Sequence, residues 1–221
     1  MNSCPCCGEA SASSLPAETP RPPSTARRSA SPRPATSSSE SPNRGETRCK
    51  VLTVGHSTRQ IEAFLELLGG HGVTRLVDVR TVPRSRHNPQ FNQAALPISL
   101  ASLNIGYVHA SGLGGFRPTV ADSCNTGWRN LSFRGYADYM QTTDFAANLA
   151  SVIALAQTDR VALMCAEAVP WRCHRSLIAD ALLVHGVPAC EIVSPKRLQL
   201  HKLTSFARVR GEQITYPFAE P

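Results

Sequence analysis

Short apolar runs alternate along the chain with segments whose apolar residues recur at helical spacing. Runs of strand character lie at 51–54, 76–79, 105–108, 161–164 and 190–193. Helical stripes lie at 61–68, 145–153 and 177–182, with a weaker one at 93–103. The run at 161–164 is apolar on both faces, as in a buried parallel strand. This alternation predicts an α/β fold, a single three-layer domain with a mostly parallel sheet of about five strands.

The first strand-to-helix connection carries the most specific local signals. Ser57 and Gln60 have the spacing of a helix-capping box. The order strand, helix, strand that contains them predicts a βαβ unit with parallel pairing. The region 196–221 shows no clear period, and no element is assigned there.

The first 48 residues differ in composition from the rest of the chain. Between Ser11 and Arg48, Leu15 is the only large aliphatic residue, and there is no aromatic one. Such a segment buries too little apolar surface to offset the entropy of ordering it. We therefore predict a disordered Ser/Pro/Arg-rich tail over 1–48 and an α/β domain over 49–221. The cysteines at 4, 6 and 7 form only half of a metal-binding knuckle, and no site is predicted there.

The formal net charge of +7 suits nucleic acid or phosphate-bearing ligands, but also ordinary surface charge. No apolar run approaches the roughly 18 residues that span a bilayer, and the chain does not begin like a secretory signal. We expect a cytoplasmic protein without membrane contact, whose eight cysteines stay reduced. Neither a Gly-rich dinucleotide fingerprint nor a P-loop is present, so the sequence identifies no cofactor.

Polar and reactive residues cluster where the predicted strands end. In an open parallel sheet, ligands bind beyond the carboxyl ends of the strands, so residues that follow different strands converge there. The residues so placed are His56 after the first strand; Asp78, Arg80, Arg84 and Ser85 at and after the second; Gly114 and Gly115 after the third; and Cys165, Glu167, Cys173, His174 and Arg175 after the fourth. This convergence predicts a functional site at the carboxyl edge of the sheet.

The residues after the first two strands have structural alternatives to a functional role. His56 is either a proton carrier near neutral pH or a cap of its turn, and Gly55 before it would allow a ligand to approach the backbone closely. Asp78 lies in an otherwise apolar strand and therefore needs a partner. It is either a catalytic carboxylate or the ion-pair partner of Arg80, two residues further along the same face.

The two loops that follow offer anion-binding groups. Arg84 and Ser85 lie in a loop interrupted by prolines, where arginine can clamp a phosphate or carboxylate, although a solvent-facing charge is an equal alternative. Gly114 and Gly115 either present backbone N–H groups to a ligand or form an ordinary loop. In the functional interpretation, Arg80, Arg84 and Arg175 hold the anion.

The segment 165–176 contains two cysteines, and its chemistry depends on where the next helix begins. Pro170 suits the first turn of that helix, which would place Cys173 and His174 near its N-terminus. There the helix dipole and the flanking arginines favour a thiolate. Seven residues separate Cys165 from Cys173, a spacing typical neither of a redox dithiol nor of a zinc finger. The sequence thus favours a single thiolate nucleophile, Cys173 in preference to Cys165. Either His56 or His174, together with Glu167, would move protons, while Cys165 could equally be a buried core residue.

Several motifs occur together in a characteristic order. They are 54–57 (VGHS), 78–80 (DVR) followed by Pro83 and Ser85, 113–115 (LGG), and 165–167 (CAE) with 173–175 (CHR). Together they resemble the family catalogued as domain of unknown function 488, over about 51–193. The resemblance implies a soluble bacterial α/β protein, and some members carry a DNA-repair label. It maps the family's motif residues onto His56, Asp78, Arg80, Cys165, Glu167, Cys173, His174 and Arg175.

Three functional hypotheses follow. The first is an enzyme-like, thiol-dependent domain that binds an anionic small molecule or a nucleotide moiety. The second is a nucleic-acid-associated, DNA-repair-linked module that contacts phosphates through its basic tail and arginine-rich loops. The third is a structural metal site at the cysteine–histidine cluster.

Overall fold

The computed structural model describes residues 49–218 of the chain. The tail predicted over 1–48, with its cysteines at 4, 6 and 7, lies outside the described residues. Within them, a mostly parallel six-stranded sheet carries helices on both faces, and this confirms the predicted α/β class.

The strands of the main sheet are β1 (Val51–Gly55), β2 (Arg75–Asp78), β3 (Gly106–His109), β4 (Val161–Cys165), β5 (Ala189–Ser194) and β6 (Arg197–Leu200). Their spatial order is β3-β2-β4-β1-β5-β6. The first five are parallel to one another, and β6 pairs antiparallel with β5. All five predicted strands are therefore confirmed. The region left unassigned contains β6 and a hairpin of β7 (Arg208–Arg210) and β8 (Gln213–Thr215).

The helices of the described part are α1 (Ile61–Gly69), α2 (Leu96–Ala101), α3 (Leu131–Tyr139), α4 (Thr143–Thr158) and α5 (Arg175–Val184). The longest, α4, begins where the Thr142 hydroxyl accepts a hydrogen bond from the Phe145 N–H at 3.2 Å. The capping box predicted for α1 is wrong. Gln60 is the N-cap but makes no side-chain capping bond, and Ser57 adopts a positive φ of 51° in the turn before it.

Alternation along the strands divides the core into two layers. Residues facing α1 and α2 include Leu52, Leu76 and Met164, and those facing α4 and α5 include Val51, Val77 and Leu163. Each such side chain contributes about 1.5–3 kcal/mol when fully buried. The same alternation turns Cys165, the residue after Met164, toward the α4–α5 layer.

The two central strands β1 and β4 determine where a site can form. They are neighbours, with Gly55 opposite Cys165, but β1 leads into α1 on one face and β4 leads into α5 on the other. Connections that leave in opposite directions open a crevice at the carboxyl ends of the two strands. The predicted pairing of β1 with β2 is wrong because β4 lies between them, although the two strands are parallel.

A disulfide joins Cys49, just before β1, to Cys190 in β5, with 5.7 Å between their Cα atoms. The expectation that every cysteine stays reduced is therefore wrong for this pair, whereas Cys165 and Cys173 are thiols. Between residues 49 and 218, no helix combines the length and the apolar character needed to cross a bilayer.

Candidate active site

A cavity of about 740 Å³ opens at the carboxyl edge of the sheet. Segments that follow β1, β2, β3 and β4 line it, as the sequence predicts. The predicted residues in its wall are His56, Arg80, Arg84, Ser85, Gly115, Cys165, Glu167, Cys173 and His174. The wall does not include Asp78, Gly114 or Arg175. Asp78 hydrogen-bonds to the wall residue Arg80, Gly114 precedes Gly115, and Arg175 hydrogen-bonds to Cys173.

Cys165 and Cys173 lie side by side in this wall. Cys165 is the last residue of β4, and Cys173 follows a short 3-10 turn, Pro170–Arg172. The prediction that Pro170 opens the helix is wrong: α5 begins at Arg175, after His174 as its N-cap. The two cysteine sulfurs and one ring nitrogen of His174 lie within 4.8 Å of one another.

The surroundings of the two sulfurs separate their acidities. Cys165 donates a hydrogen bond to the Cys173 sulfur, and this bond, together with His174 and the positive charge of Arg175, lowers the pKa of Cys173 against the opposing effect of burial. The same hydrogen bond and burial raise the pKa of Cys165. These influences favour the thiolate at Cys173 and the protonated thiol at Cys165.

Arg175 stabilises the Cys173 thiolate from a buried position. The side chain is 1% exposed, and its Nε donates to the Cys173 sulfur at 3.4 Å. Its Nη1 pairs with the Glu191 carboxylate at 3.2 Å, and its Nη2 donates to the Glu167 carbonyl at 2.7 Å. Thr53 donates to the same Glu191 carboxylate. Arg175 was predicted to hold an anion in the cavity, but its donors point instead at the sulfur and at structural partners.

His174 presents an unprotonated nitrogen to Cys173 when its ring is neutral. Its Nε2 donates to the Val79 carbonyl at 3.1 Å, which leaves Nδ1, 3.8 Å from the sulfur, as an acceptor. Gly115 explains this close arrangement, because a Cβ at that position would lie 2.6 Å from His174 Nδ1. The glycine pair predicted to expose its backbone to a ligand thus makes room for the histidine ring, and Gly114 packs in the same way against Thr81.

His56, Arg80 and Asp78 form a second buried group. Arg80 donates from Nε and Nη2 to the two oxygens of Asp78, at 2.8 and 2.6 Å. Its Nη1 lies 3.2 Å from His56 Nε2, and Nη2 also donates to the Phe91 carbonyl at 2.7 Å. These bonds leave one N–H of Arg80 for the cavity. Tyr107 completes the set with a 2.8 Å hydrogen bond to Asp78.

These contacts give His56 and Asp78 positioning roles. The His56 ring stacks on Phe91 at 4.2 Å, and burial lowers the pKa of His56 to about 4. A ring that is neutral at pH 7 donates from Nδ1 to the Ser57 carbonyl, at 2.7 Å, and accepts from Arg80 at Nε2. Both ring nitrogens of His56 and both carboxylate oxygens of Asp78 are then engaged in hydrogen bonds. This arrangement does not support the proton transfer predicted for His56 or the catalytic role predicted for Asp78. Gly55 also differs from expectation, because a Cβ there would lie 2.0 Å from the Glu167 carbonyl oxygen rather than against a ligand.

The exposed cations of the cavity are Arg84, as predicted, and Arg172. Ser85 holds their loop in shape rather than facing a ligand, since its N–H donates to Asn92 at 2.6 Å and its hydroxyl accepts from Asn88 at 3.1 Å. Glu167 accepts the Val169 N–H at 3.2 Å through one carboxylate oxygen. The basic groups of the wall that are not fully engaged elsewhere are therefore Arg84, Arg172 and the remaining N–H of Arg80.

Sequence reasoning missed Phe133 and Glu191, and it assigned no ligand-binding role to Arg172 or Phe116. Glu191 carried a usable signal, because an acidic residue inside an apolar strand requires a buried cation. Phe116 and Phe133 add aromatic surface to the cavity, but their positions depend on loops whose course the sequence pattern does not specify.

The trio Cys165, Cys173 and His174 also has the composition of a soft-metal site. Two thiolates and an imidazole are common zinc ligands, and a carbonyl that fixes the other histidine nitrogen, as Val79 does, is the usual support for a ligating histidine. The wall of the cavity would leave a fourth position open to a small molecule. The residues present therefore fit a metal ion as well as a free thiolate.

Comparison with known proteins gave one match. The model of the family described as Domain of unknown function DUF488 matches residues 60–182, which is more than half of the chain. The matched range contains Asp78, Arg80 and the whole segment from Cys165 to Arg175, while His56 precedes it. Searches of curated proteins and of solved structures found no match.

Proposed function

The chain belongs to the family Domain of unknown function DUF488, whose description names no reaction, and we propose that it is a thiol-dependent enzyme acting on an anionic small molecule. One observation carries the proposal. The Cys173 sulfur, in the wall of a basic cavity, accepts a hydrogen bond from the buried Arg175 at 3.4 Å and faces His174 Nδ1 at 3.8 Å. A thiolate with an adjacent base is the arrangement of a covalent catalyst.

The roles of the residues follow from their contacts. The Cys173 sulfur forms a bond to an electrophilic atom of the substrate while a leaving group departs from that atom. His174 Nδ1 holds the proton that Cys173 gives up on forming the thiolate, and it donates that proton to the leaving group. Arg84, Arg172 and the free N–H of Arg80 hold the anionic part of the substrate.

The size and lining of the cavity favour a substrate that combines a flat ring with an anionic group, as a nucleotide does. A volume of about 740 Å³ accommodates a molecule larger than a bare phosphate. Phe116 and Phe133 supply aromatic surface close to the cations Arg84 and Arg172. Aromatic rings stack on bases and other flat groups, while arginines bind phosphate or carboxylate.

Paired alkylating agents test both parts of the proposal. Iodoacetamide is neutral and iodoacetate is anionic, and otherwise they react alike with a thiolate. Cys173 should react with iodoacetamide faster than a free thiol at neutral pH and show an additional preference for iodoacetate at low salt. Arg84→Ala and Arg172→Ala should each reduce that preference, whereas Arg86→Ala should not, because Arg86 lies in the same loop as Arg84 but outside the cavity wall. Reaction no faster than a free thiol would refute the nucleophile.

The metal site is a second candidate because three ligand atoms lie within 4.8 Å. It predicts that protein purified without added metal contains about one equivalent of zinc or a similar soft ion, and that Cys173→Ser loses it. Metal-bound sulfur is shielded from alkylation, so elemental analysis and the iodoacetamide rate give opposite results for the two candidates. Nucleic acid is the polymeric alternative to a small anion, and it predicts binding that weakens steeply with salt.

A further inference from the structure

Cys165 has no assigned part in the proposed reaction, although its thiol lies beside the reacting sulfur. It is 8% exposed, lies in the wall of the same cavity, and its sulfur is within 4.8 Å of the Cys173 sulfur. A residue that only filled the core would need no thiol at this position. A second thiol beside a thiolate is the arrangement that turns oxidation into disulfide formation.

We propose that Cys165 is the resolving cysteine of Cys173, so that a hydroperoxide entering the cavity converts the pair into a reversible disulfide that switches the site off. This inference rests on the Cys173 thiolate of the proposed function, but it requires no knowledge of the substrate. The oxidant is named only by class: hydrogen peroxide or an organic hydroperoxide.

The chemistry proceeds in two balanced steps. The Cys173 thiolate attacks the outer oxygen of the hydroperoxide, the O–O bond breaks, and the alkoxide or hydroxide that leaves takes a proton from water, which gives Cys173 sulfenic acid. The Cys165 sulfur then attacks the Cys173 sulfur, the S–O bond breaks, and the hydroxide departs as water with the Cys165 proton. Two cysteine sulfurs lose two electrons in all, and the peroxide is reduced to an alcohol or water.

The position of the other described cysteines makes this pairing specific. Cys49 and Cys190 are joined to each other on the opposite side of β1 from β4. Cys124 is not in the wall of the cavity. Within residues 49–218, the thiol that lies within 4.8 Å of a sulfenic acid on Cys173 is therefore that of Cys165.

The disulfide would have two effects on the site. It removes the nucleophile, because the Cys173 sulfur is then bonded to the Cys165 sulfur and can no longer be a thiolate. It also protects that sulfur, because a disulfide is reduced by thiols while sulfinic and sulfonic acids are not. Arg175 would remain paired with Glu191, so that its guanidinium again lies beside the Cys173 sulfur once the disulfide is reduced.

Peptide mapping of the full chain tests the proposal. Trypsin cuts after Arg160, Arg172 and Arg175, which places Cys165 in peptide 161–172 and Cys173 in peptide 173–175. After brief treatment with hydrogen peroxide, the two peptides should appear joined, or peptide 161–175 should appear two hydrogens lighter. Dithiothreitol should reverse this and restore iodoacetamide labelling of Cys173. In Cys165→Ser, dimedone should trap a sulfenic acid on Cys173 instead.

The outcomes separate this inference from the proposed function. If wild-type Cys173 reacts rapidly with iodoacetamide but peroxide yields only dimedone-labelled or over-oxidised Cys173, the resolving role of Cys165 is refuted and the nucleophile stands. If the Cys165–Cys173 disulfide forms although alkylation of Cys173 is slow, the pair undergoes reversible oxidation but the catalytic proposal is refuted. Peroxide that leaves both cysteines unmodified refutes the inference. Cys124→Ser is the matched control and should leave the cross-link unchanged.

Discussion

Removing the thiol of Cys165 should raise the pKa of Cys173, since the hydrogen bond from Cys165 is the largest influence that lowers it. A hydrogen bond to a charged group contributes about 1.5–3 kcal/mol, and a thiol is a weak donor, which places this one at the lower end. Since about 1.4 kcal/mol corresponds to one pH unit, Cys165→Ala should raise the pKa of Cys173 by about one pH unit. Arg175 Nε, still 3.4 Å from the sulfur, should keep the pKa below that of a free thiol.

The assay is the rate of iodoacetamide labelling at Cys173 as a function of pH, followed on peptide 173–175. Only the thiolate reacts, so the midpoint of the profile gives the pKa of Cys173 in the folded protein. Cys165→Ser is the matched control because its hydroxyl still donates to the sulfur, and its midpoint should stay close to that of the wild type. A Cys165→Ala profile that coincides with the wild type would refute the reasoning, because the neighbouring thiol would then have no part in stabilising the thiolate.

Two further predictions concern the groups around the cysteine pair. Gly115→Ala places a Cβ 2.6 Å from His174 Nδ1, and it should slow Cys173 labelling while leaving the circular dichroism spectrum unchanged; Gly69→Ala, which meets only an ordinary 3.6 Å contact, should have no such effect. His56 has a pKa of about 4 in the folded protein and about 6.5 in the unfolded chain, so below pH 6.5 only the unfolded chain gains the proton. Stability should therefore be full above pH 6.5 and fall toward pH 4, by up to about 1.4 kcal/mol per pH unit. Urea denaturation of the wild type and His56→Gln should show a shallower pH dependence in the variant, and equal slopes would contradict the assignment.

The parallel core was predictable because its central strands, β1 and β4, are buried on both faces. Val161 to Cys165 is buried throughout, and such a run stands out from its amphipathic neighbours. The edge strand β6 is exposed or half-buried at all four positions, so it leaves no apolar pattern to recognise. The insertion of β4 between β1 and β2 depends on how the layers pack together, and chain order carries no signal for it.

For the site, convergence at one sheet edge was predictable, but the direction of individual side chains was not. Arg175 and Arg84 look alike in sequence, yet one lies buried behind the sulfur and the other lines the cavity. What separates them is Glu191, more than a dozen residues away in β5, which provides a buried partner for Arg175. An arginine's partners depend on tertiary contacts, and those are absent from local spacing.

The two cysteines differ in how firmly the backbone holds them. Cys165 ends a strand that lies between β1 and β2. It is paired with Gly55 of β1, and its carbonyl accepts a hydrogen bond from the His56 N–H at 2.9 Å, so moving its backbone would break this pairing. Cys173 lies between a 3-10 turn and the start of α5, in a connection whose torsion angles can adjust. Any change in sulfur–sulfur distance must therefore come from the 166–174 segment. Arg172 lies in that segment and also lines the cavity, so forming the proposed disulfide would shift the backbone that carries this arginine.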